Sequence, residues 1–565
     1  MKHGRIVLTA ASCQAKQFSA IIIFLAYLGW SLGLTYPLAQ HLFTHIPLGN
    51  EKAGTVPFFN LWSLQWNIDQ LMQGYPNYWH APIFAPASGS FAFSETQPLS
   101  ALLAGPLWLG FQSPALGYNT VVILFLTLNG WFTFWLLKWW GVAAGPAFLA
   151  GLLMQSLPFI AQEMGVLQLV AVFGFLWSLL VMSRIFFKRQ SGQAMPRDII
   201  FLALGLAVVF LTCTYYGLFS LLFLPVFLIF LMQWKRIRPT LVIQLLVVGA
   251  LALILSGPFL WAQKLHLDRN GFRRSAKTIE NNSAKLRYYT NFLDHNVLYS
   301  QILARESGAG QRLFPGLGLV FLASLGLLGR SQQRVKAYLM VAVCLALLLS
   351  LGLWLRFGDV QPYQFIRDYV PGFRQLRSPF RFAVLVQLHL VLLAGFGLFN
   401  LTRWLPTNGS WLVAICAALV LFESLALPLP LQPVPRLIGK APWQTWLNQH
   451  DQDSQIIMLP FAASSQVKDF EQTTRWMLES RYFQGRMLNG YSGFFPVDHP
   501  HLREQMLDFP TIDGIELLHK LQVDYIVVYH NIAKAPSGKI VATHLRLVFQ
   551  DRTNNVSIYA LDPSG

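Results

Sequence analysis

FSAIIIFLAYLGWSLGLTY, residues 18–36, carries no charged side chain, and a run of that length lets a helix cross a hydrocarbon core of ~30 Å. A backbone in lipid finds no water to bond to, so the run closes its own hydrogen bonds as a helix. GVLQLVAVFGFLWSLLVMSRIFF, residues 165–187, repeats the pattern with one arginine. Comparable runs recur along the chain to about residue 430, and roughly eleven crossings account for them. The ten-residue alternation that marks an outer-membrane barrel is not seen. These runs predict an α-helical polytopic membrane protein.

Composition agrees. Of 565 residues, 54% are hydrophobic and 12% charged, about half the ~25% usual for soluble domains. The net charge of +17 sits largely in short loops between apolar runs, so membrane topology explains it and nucleic acid is not an expected partner. Cys13, Cys213, Cys344 and Cys416 are scattered, without CxxC spacing or a histidine at ligand distance, which argues against a disulfide framework or a zinc site. Lys2, Arg5 and Lys16 precede the first run, and Tyr36-Pro37 follows it without a small-residue cleavage pattern. This predicts an uncleaved signal anchor.

Lysine and arginine in short loops mark the cytoplasmic side. Lys138, the Arg184/Lys188/Arg189/Arg197 group, Lys235/Arg236/Arg238, Arg330/Arg334/Lys336 and Arg403 then face inward. Segments 37–116, 161–164, 213–217, 263–311 and 356–378 face outward, with the N-terminus inside, as in a bacterial cytoplasmic membrane. Two stretches decide the parity. Ile199–Trp234 has to cross twice, turning near Thr214–Gly217, and Pro98–Gly110 is short enough to lie at the outer interface. After the last run, Pro428, Pro430, Pro433 and Pro435 stiffen a linker, and hydropathy falls. Residues 1–430 therefore read as a transmembrane domain and 431–565 as a small extracytoplasmic α/β domain. Within the latter, 456–459, 525–529, 545–549 and 556–561 read as strands, and 441–448 and 515–521 as helices.

The first outer loop, 37–116, is longer than a connection requires, and such loops are usually functional. Its Glu51 and Glu95, with Glu163 from the turn after Pro158, are candidate acids and bases, because partial desolvation at the lipid boundary raises a carboxyl pKa. The alternative for each is a solvated loop acid. Trp62, Trp66 and Trp79 are candidates to stack on a sugar ring or to anchor the interface, and His80 to act as a base or as a structural hydrogen-bonder. Three carboxylates suffice for a divalent metal, but no motif demands one.

A second constellation is PGFRQLRSPFRF, residues 371–382. Ser378-Pro379 reads as N-cap and first helical residue, and a helix N-terminus attracts anions. Arg374, Arg377 and Arg381 add positive charge where the dipole already disfavours it, which points to a bound phosphate, with headgroup anchoring as the plainer alternative. Lys264, Arg269, Arg273, Arg274 and Lys277 are further cations that could cover an anionic substrate. Asp451-Gln452-Asp453 has metal-binding DxD spacing but reads as a polar turn.

NLWSLQWN (60–67), YWHAPIFAP (78–86), FAFSETQPL (91–99), PGFRQLRSPFRF (371–382) and NGYSGFFP (489–496), in that order, resemble bacterial multi-pass proteins of the GT-C glycosyltransferase kind, over nearly the whole chain. The resemblance implies transfer of a sugar from a polyprenyl-phosphate-linked donor to a glycan, lipid or protein acceptor on the outer face. It also implies an acid of the first loop as base, here Glu51. The family commonly has a Gly-Asp or Asp-Glu pair at that point, whereas this chain reads Gly49-Asn50-Glu51, and an amide takes no proton. A transporter of lipid-linked oligosaccharides and a non-catalytic envelope assembly protein are the competing readings.

Overall fold

The computed structural model describes residues 10–187, 195–232, 239–302, 310–405, 410–435, 439, 441–450, 453–532 and 543–562. Lys2, Arg5, Lys188, Arg189, Lys235, Arg236 and Arg238, used above for orientation, and Asp451-Gln452 of the DxD spacing lie outside the described residues.

Among the described residues seven helices are long and apolar enough to cross a membrane: Pro114–Trp139, Ala144–Gln162, Leu167–Phe186, Thr214–Leu231, Pro239–Arg269, Gln333–Ser350 and Pro379–Trp404. Ala20–Leu34, Leu317–Leu327 and Trp411–Ser424 are shorter apolar helices, and Pro196–Thr212 is another helix. Every run assigned to a crossing is thus helical, and the chain is a multi-pass membrane protein. The stretch 199–234 does divide in two, but at a single extended residue, Cys213, with φ −146° and ψ 104°. The break comes earlier and is tighter than expected. Gly217 permits it, since a Cβ there would lie 2.3 Å from the Phe210 ring.

The chain forms two compact units. The first comprises Met1–His41, Asn119–Gly257 and Arg273–Pro430. Its tightest packing joins Leu317–Leu327 to Ala383–Trp404. A Cβ on Gly326 would lie 2.0 Å from the Leu393 carbonyl oxygen, and one on Gly397 would lie 1.9 Å from that of Leu322. Two hydrogens in place of two methyls therefore let the backbones touch, as small residues do between membrane helices. The short helix is also capped at both ends. Glu423 accepts from the Leu317 and Gly318 amides at 2.6 and 2.8 Å, placing a carboxylate at the positive pole. Lys336 Nζ donates to the Leu328 carbonyl at 2.8 Å, and Asn400 Nδ2 to those of Leu325 and Leu328 at 2.9 and 2.7 Å.

The second unit joins Leu42–Tyr118, Pro258–Phe272 and Leu431–Gly565. The first outer loop, read with the transmembrane domain in the sequence, thus packs with the C-terminal segment. Its strand β1 (His45–Pro47) pairs antiparallel with β2 (Leu431–Pro433). A mixed sheet follows, of β3 (Gln455–Leu459), β4 (Arg486–Met487), β5 (Tyr525–Tyr529), β6 (Leu545–Asp551) and β7 (Val556–Leu561), in the order β4-β3-β5-β7-β6. β3 runs parallel to β4 and β5, whereas β7 is antiparallel to β5 and β6. The helix Thr55–Gln73 is docked on this domain. The Gly54 amide donates to Glu471 Oε2 at 3.0 Å, Gln65 Nε2 donates to the Leu478 carbonyl at 3.1 Å, and Asp69 meets Arg481 at 3.0 Å. NGYSGFFP closes the same seam. The Asn489 side chain bridges both backbone groups of Met458, its carbonyl accepts from the Phe84 amide, and the Phe494 amide donates to the Phe93 carbonyl.

Overpacking a tight contact costs about 1–3 kcal/mol. Gly397→Leu therefore lowers the thermal transition of the purified chain by several degrees, whereas Gly249→Ala, with nothing within 4 Å of its Cβ, leaves it unchanged. Burial raises the Asp69 carboxyl to about 6 despite the nearby Arg481. A raised carboxyl stabilises the fold below its unfolded pKa of 3.8, and that contribution is lost as pH rises through 6. Unfolding of the wild-type chain followed between pH 5 and pH 7 should show stability falling with pH, and Asp69→Asn should remove that part of the slope.

Candidate functional site: an arginine cluster with a buried-side glutamate

A grouping of charge in the first unit is assembled from four separate segments. Helix Pro158–Gln162 ends at Glu163, which takes the C-cap position. The Cys213 break places Tyr215 at the start of Thr214–Leu231. Arg274 follows the long helix Pro239–Arg269, and Arg377 and Arg381 flank Ser378-Pro379.

Tyr215 is the hub. Its ring lies 4.4 Å beneath the Arg381 guanidinium, and its hydroxyl oxygen accepts from the Arg377 amide at 3.1 Å. Arg274 is docked by its backbone amide on the Arg374 carbonyl at 3.3 Å and by Nε on the Gln375 carbonyl at 3.4 Å. Its guanidinium is pushed down to about 10, chiefly by burial, then by the charge of Arg377 and more weakly of Arg381, with Tyr215 acting the other way. Such repulsion exists because the three cations are held together.

Glu163 faces the same charges. Burial raises its carboxyl above the usual carboxylate range, while Arg381, a hydrogen bond from Gln162 and Arg377 pull it down. Gln162 Nε2 donates to Glu163 Oε1 at 2.8 Å and its Oε1 accepts from the Arg312 amide at 2.6 Å. Gln387, on the helix that follows Arg381, accepts from the Phe159 amide at 2.9 Å and donates to the Leu313 carbonyl at 3.2 Å. Two buried glutamines thus fix the 310–313 segment against both helices. Arg312 is held away from the cluster's chemistry by a two-toothed pairing with Asp294, at 3.0 Å to each oxygen.

The sequence placed Arg374 in this group. The structure instead leaves it exposed, with its guanidinium donating to the Asp368 carbonyl at 3.1 Å, and Arg274 joins Arg377 and Arg381. Nothing periodic marks Arg274 among the cations of 263–311, because its neighbours here are a hundred residues distant. Ser378 is at the N-cap position, but its hydroxyl makes no capping bond and the span opens as a 3-10 turn, Pro379–Phe382. The Phe380 amide donates to the Asn282 carbonyl at 3.2 Å. Guanidinium groups, more than a bare helix end, make the positive field.

The remaining candidates belong to the second unit. Glu51 is half-buried just before helix Thr55–Gln73, after a turn in which Gly49 has φ 61° and the Glu51 amide donates to the Leu48 carbonyl. Glu95 is half-buried between the 3-10 turn Ser90–Phe93 and helix Pro98–Phe111. Trp62 is 1% exposed, wedged against Phe59 and Phe91. It has no face left for a sugar, so its place is in the core. Trp66 is half-buried and donates Nε1 to the Tyr78 carbonyl at 2.8 Å. Trp79 leans on Phe259 and His266. His80 is exposed, and its Nδ1 accepts from the Gly89 amide at 3.2 Å, which matches a structural hydrogen-bonder. No group of three or more His, Cys, Asp or Glu side chains that could hold a metal occurs among the described residues.

Neither a family model nor a curated protein matches this chain. Among solved structures, it is similar to ArnT from Cupriavidus metallidurans in the apo state, at 12% identity and a TM-score of 0.43, covering 98% of this chain and 100% of that one. It is also similar to ArnT from the same organism bound to undecaprenyl phosphate, at 12% identity and a TM-score of 0.46, covering 97% and 99%.

Glu163 opposes the cluster only while ionised. Because its carboxyl is raised, the cluster gains positive charge as pH falls through that raised value, and affinity for inorganic pyrophosphate should rise on acidification. Titration calorimetry on the detergent-solubilised chain checks this. Glu163→Gln should bind more tightly at neutral pH and lose that component of the pH response.

Proposed function

We propose that the chain is a membrane glycosyltransferase that moves a sugar from a polyprenyl-phosphate-linked donor to an outer-face acceptor in envelope glycan synthesis. The observation that carries the reading is the convergence of Arg274, Arg377 and Arg381 on Tyr215 and Glu163. Guanidinium pairs match phosphate oxygens in plane and number, and the cluster lies at the end of the Pro379–Trp404 span, the height at which a lipid-borne phosphate is presented.

In the reaction an acceptor hydroxyl attacks the anomeric carbon as the bond from that carbon to the phosphate oxygen breaks. The electron pair leaves on the phosphate, where Arg377 and Arg381, supported by Arg274, neutralise the growing charge. The hydroxyl proton passes to a carboxylate, and this role is assigned to Glu51 on the sequence resemblance, with Glu95 as a supporting acid. In-line displacement inverts the anomeric centre. The donor sugar and the acceptor class, whether glycan, lipid or protein, are set elsewhere than by these groups.

The transporter alternative needs ionisable groups free for cargo within the spans. Several of those described there are engaged structurally. Glu423 and Lys336 cap a helix, His389 bonds the Leu385 carbonyl and the Tyr338 hydroxyl, and Arg184 pairs with Asp198 at 2.8 Å. This supports chemistry at the membrane surface over passage through its middle.

Proteoliposomes given a radiolabelled polyprenyl-phosphate sugar provide the test. Removing one transition-state donor costs roughly 10²–10³ in turnover, so Arg377→Ala and Arg381→Ala should each lose that much, and Glu51→Gln a comparable factor. Full turnover in both arginine variants would end the phosphate assignment, and full turnover in Glu51→Gln would move the base to another residue.

A further inference from the structure

Between the spans Gln333–Ser350 and Pro379–Trp404, the chain does not simply turn. A 3-10 turn, Gly352–Trp354, leads to a bridge between Phe357 and Val360 and then to an eight-residue helix, Pro362–Tyr369. That helix is sharply two-sided. Tyr363 is buried against the protein, while Phe365 and Tyr369, one turn apart, are 64% and 73% exposed, with their rings 4.6 Å from each other. Phe357, Val360 and Trp354 are exposed as well. Five large apolar side chains on a segment of this length form a patch that water disfavours, and such patches mark a binding surface.

The polar residues of the segment identify the occupant. Arg356 and Arg367 of the segment, with Lys285 beside it, stand against Asp359 and Asp368. Lys285 places its ammonium 4.2 Å over the Trp354 ring. Aromatics beside arginines on a short amphipathic helix, tied at both ends to membrane spans, suit the headgroup layer, where the rings enter the acyl boundary and the cations meet phosphates. A water-soluble protein partner would not require the patch to sit at the level of two span ends.

We propose that Trp354–Tyr369 is an interfacial anchor that inserts Phe357, Val360, Phe365 and Tyr369 into the leaflet and binds anionic phospholipid headgroups. It stands independently of the transferase reading, because it concerns the bulk bilayer and not the donor. The anchor leads on to Arg377, so its depth sets the height of the arginine cluster in the membrane.

Hydrogen exchange of the unmodified chain in nanodiscs, without any polyprenyl lipid, tests it. Amides of 362–369 should exchange several-fold more slowly in discs containing phosphatidylglycerol than in discs of phosphatidylcholine alone. Equal exchange in the two overturns the proposal, and so does slowing that appears only when polyprenyl phosphate is added, since the occupant is then the carrier lipid. As a second measurement, nitroxides at Phe365→Cys and Tyr369→Cys should be more accessible to oxygen than to a water-soluble nickel reagent. A spin label at Val497→Cys, 82% exposed in the α/β domain, serves as the aqueous reference. Aqueous accessibility at 365 and 369 equal to that at 497 refutes insertion.

Discussion

The contact on which the membrane unit depends is the meeting of two helix backbones at Gly326 and Gly397. In lipid, apolar side chains gain little by leaving one apolar medium for another, so close van der Waals contact and hydrogen bonds have to hold helices together. The glycine pair supplies the first, and Asn400, reaching the Leu325 and Leu328 carbonyls, supplies the second. Part of what positions the arginine cluster hangs from this pair of helices. Ala383–Trp404 carries Gln387 and is entered through Pro379–Phe382, and the segment before Leu317 carries Leu313, which Gln387 grips. A shift of one helix on the other would move the 310–313 segment and the 377–381 segment relative to each other.

Charge inside this unit follows a consistent rule. Taking an ion from water costs several kcal/mol unless a partner of good geometry awaits it, and the buried ions here are supplied with one. Glu423 receives two amides at a helix start, and Lys336 reaches carbonyls at the same helix's end. Both exploit the polarity of one short helix, so a segment of eleven residues with little length of its own is pinned at each pole. The arginine cluster is arranged differently, with Arg274, Arg377 and Arg381 close enough to feel one another's charge and Glu163 beside Arg377 and Arg381.

How much of this was legible in the sequence depends on the range of the interactions. Helices long enough to span announce themselves by uninterrupted hydropathy, and the strands at 455–459, 525–529, 545–551 and 556–561 by short apolar blocks between turns; both signals are local. Long-range pairing is not. Trp62 is a candidate sugar platform or interfacial anchor in the sequence, yet the fold buries it against Phe59 and Phe91. Arg274 replaced Arg374 for a similar reason. The 3-10 turn Phe373–Gln375 offers its carbonyls to Arg274, and no residue spacing encodes that. NGYSGFFP was visible as a motif, but its partner, the Phe84–Phe93 stretch, emerges only from the fold.

The balance of charge in the cluster bears on catalysis as well as binding. Under the proposed reaction the donor is a phosphodiester with one negative charge, and the departing carrier is a monoester that develops a second. Where Glu163 is ionised it offsets part of the charge of the three arginines, and the positive charge that remains is matched better by the product-like transition state than by the ground state. Interactions that strengthen as the bond breaks accelerate the step, whereas those equal in both states do not. Glu163 is then more than a neighbour to be tolerated. Without it the cluster would hold the donor more tightly and gain less on the way to the transition state, so one carboxylate among three guanidinium groups tunes the site toward turnover at the expense of ground-state affinity.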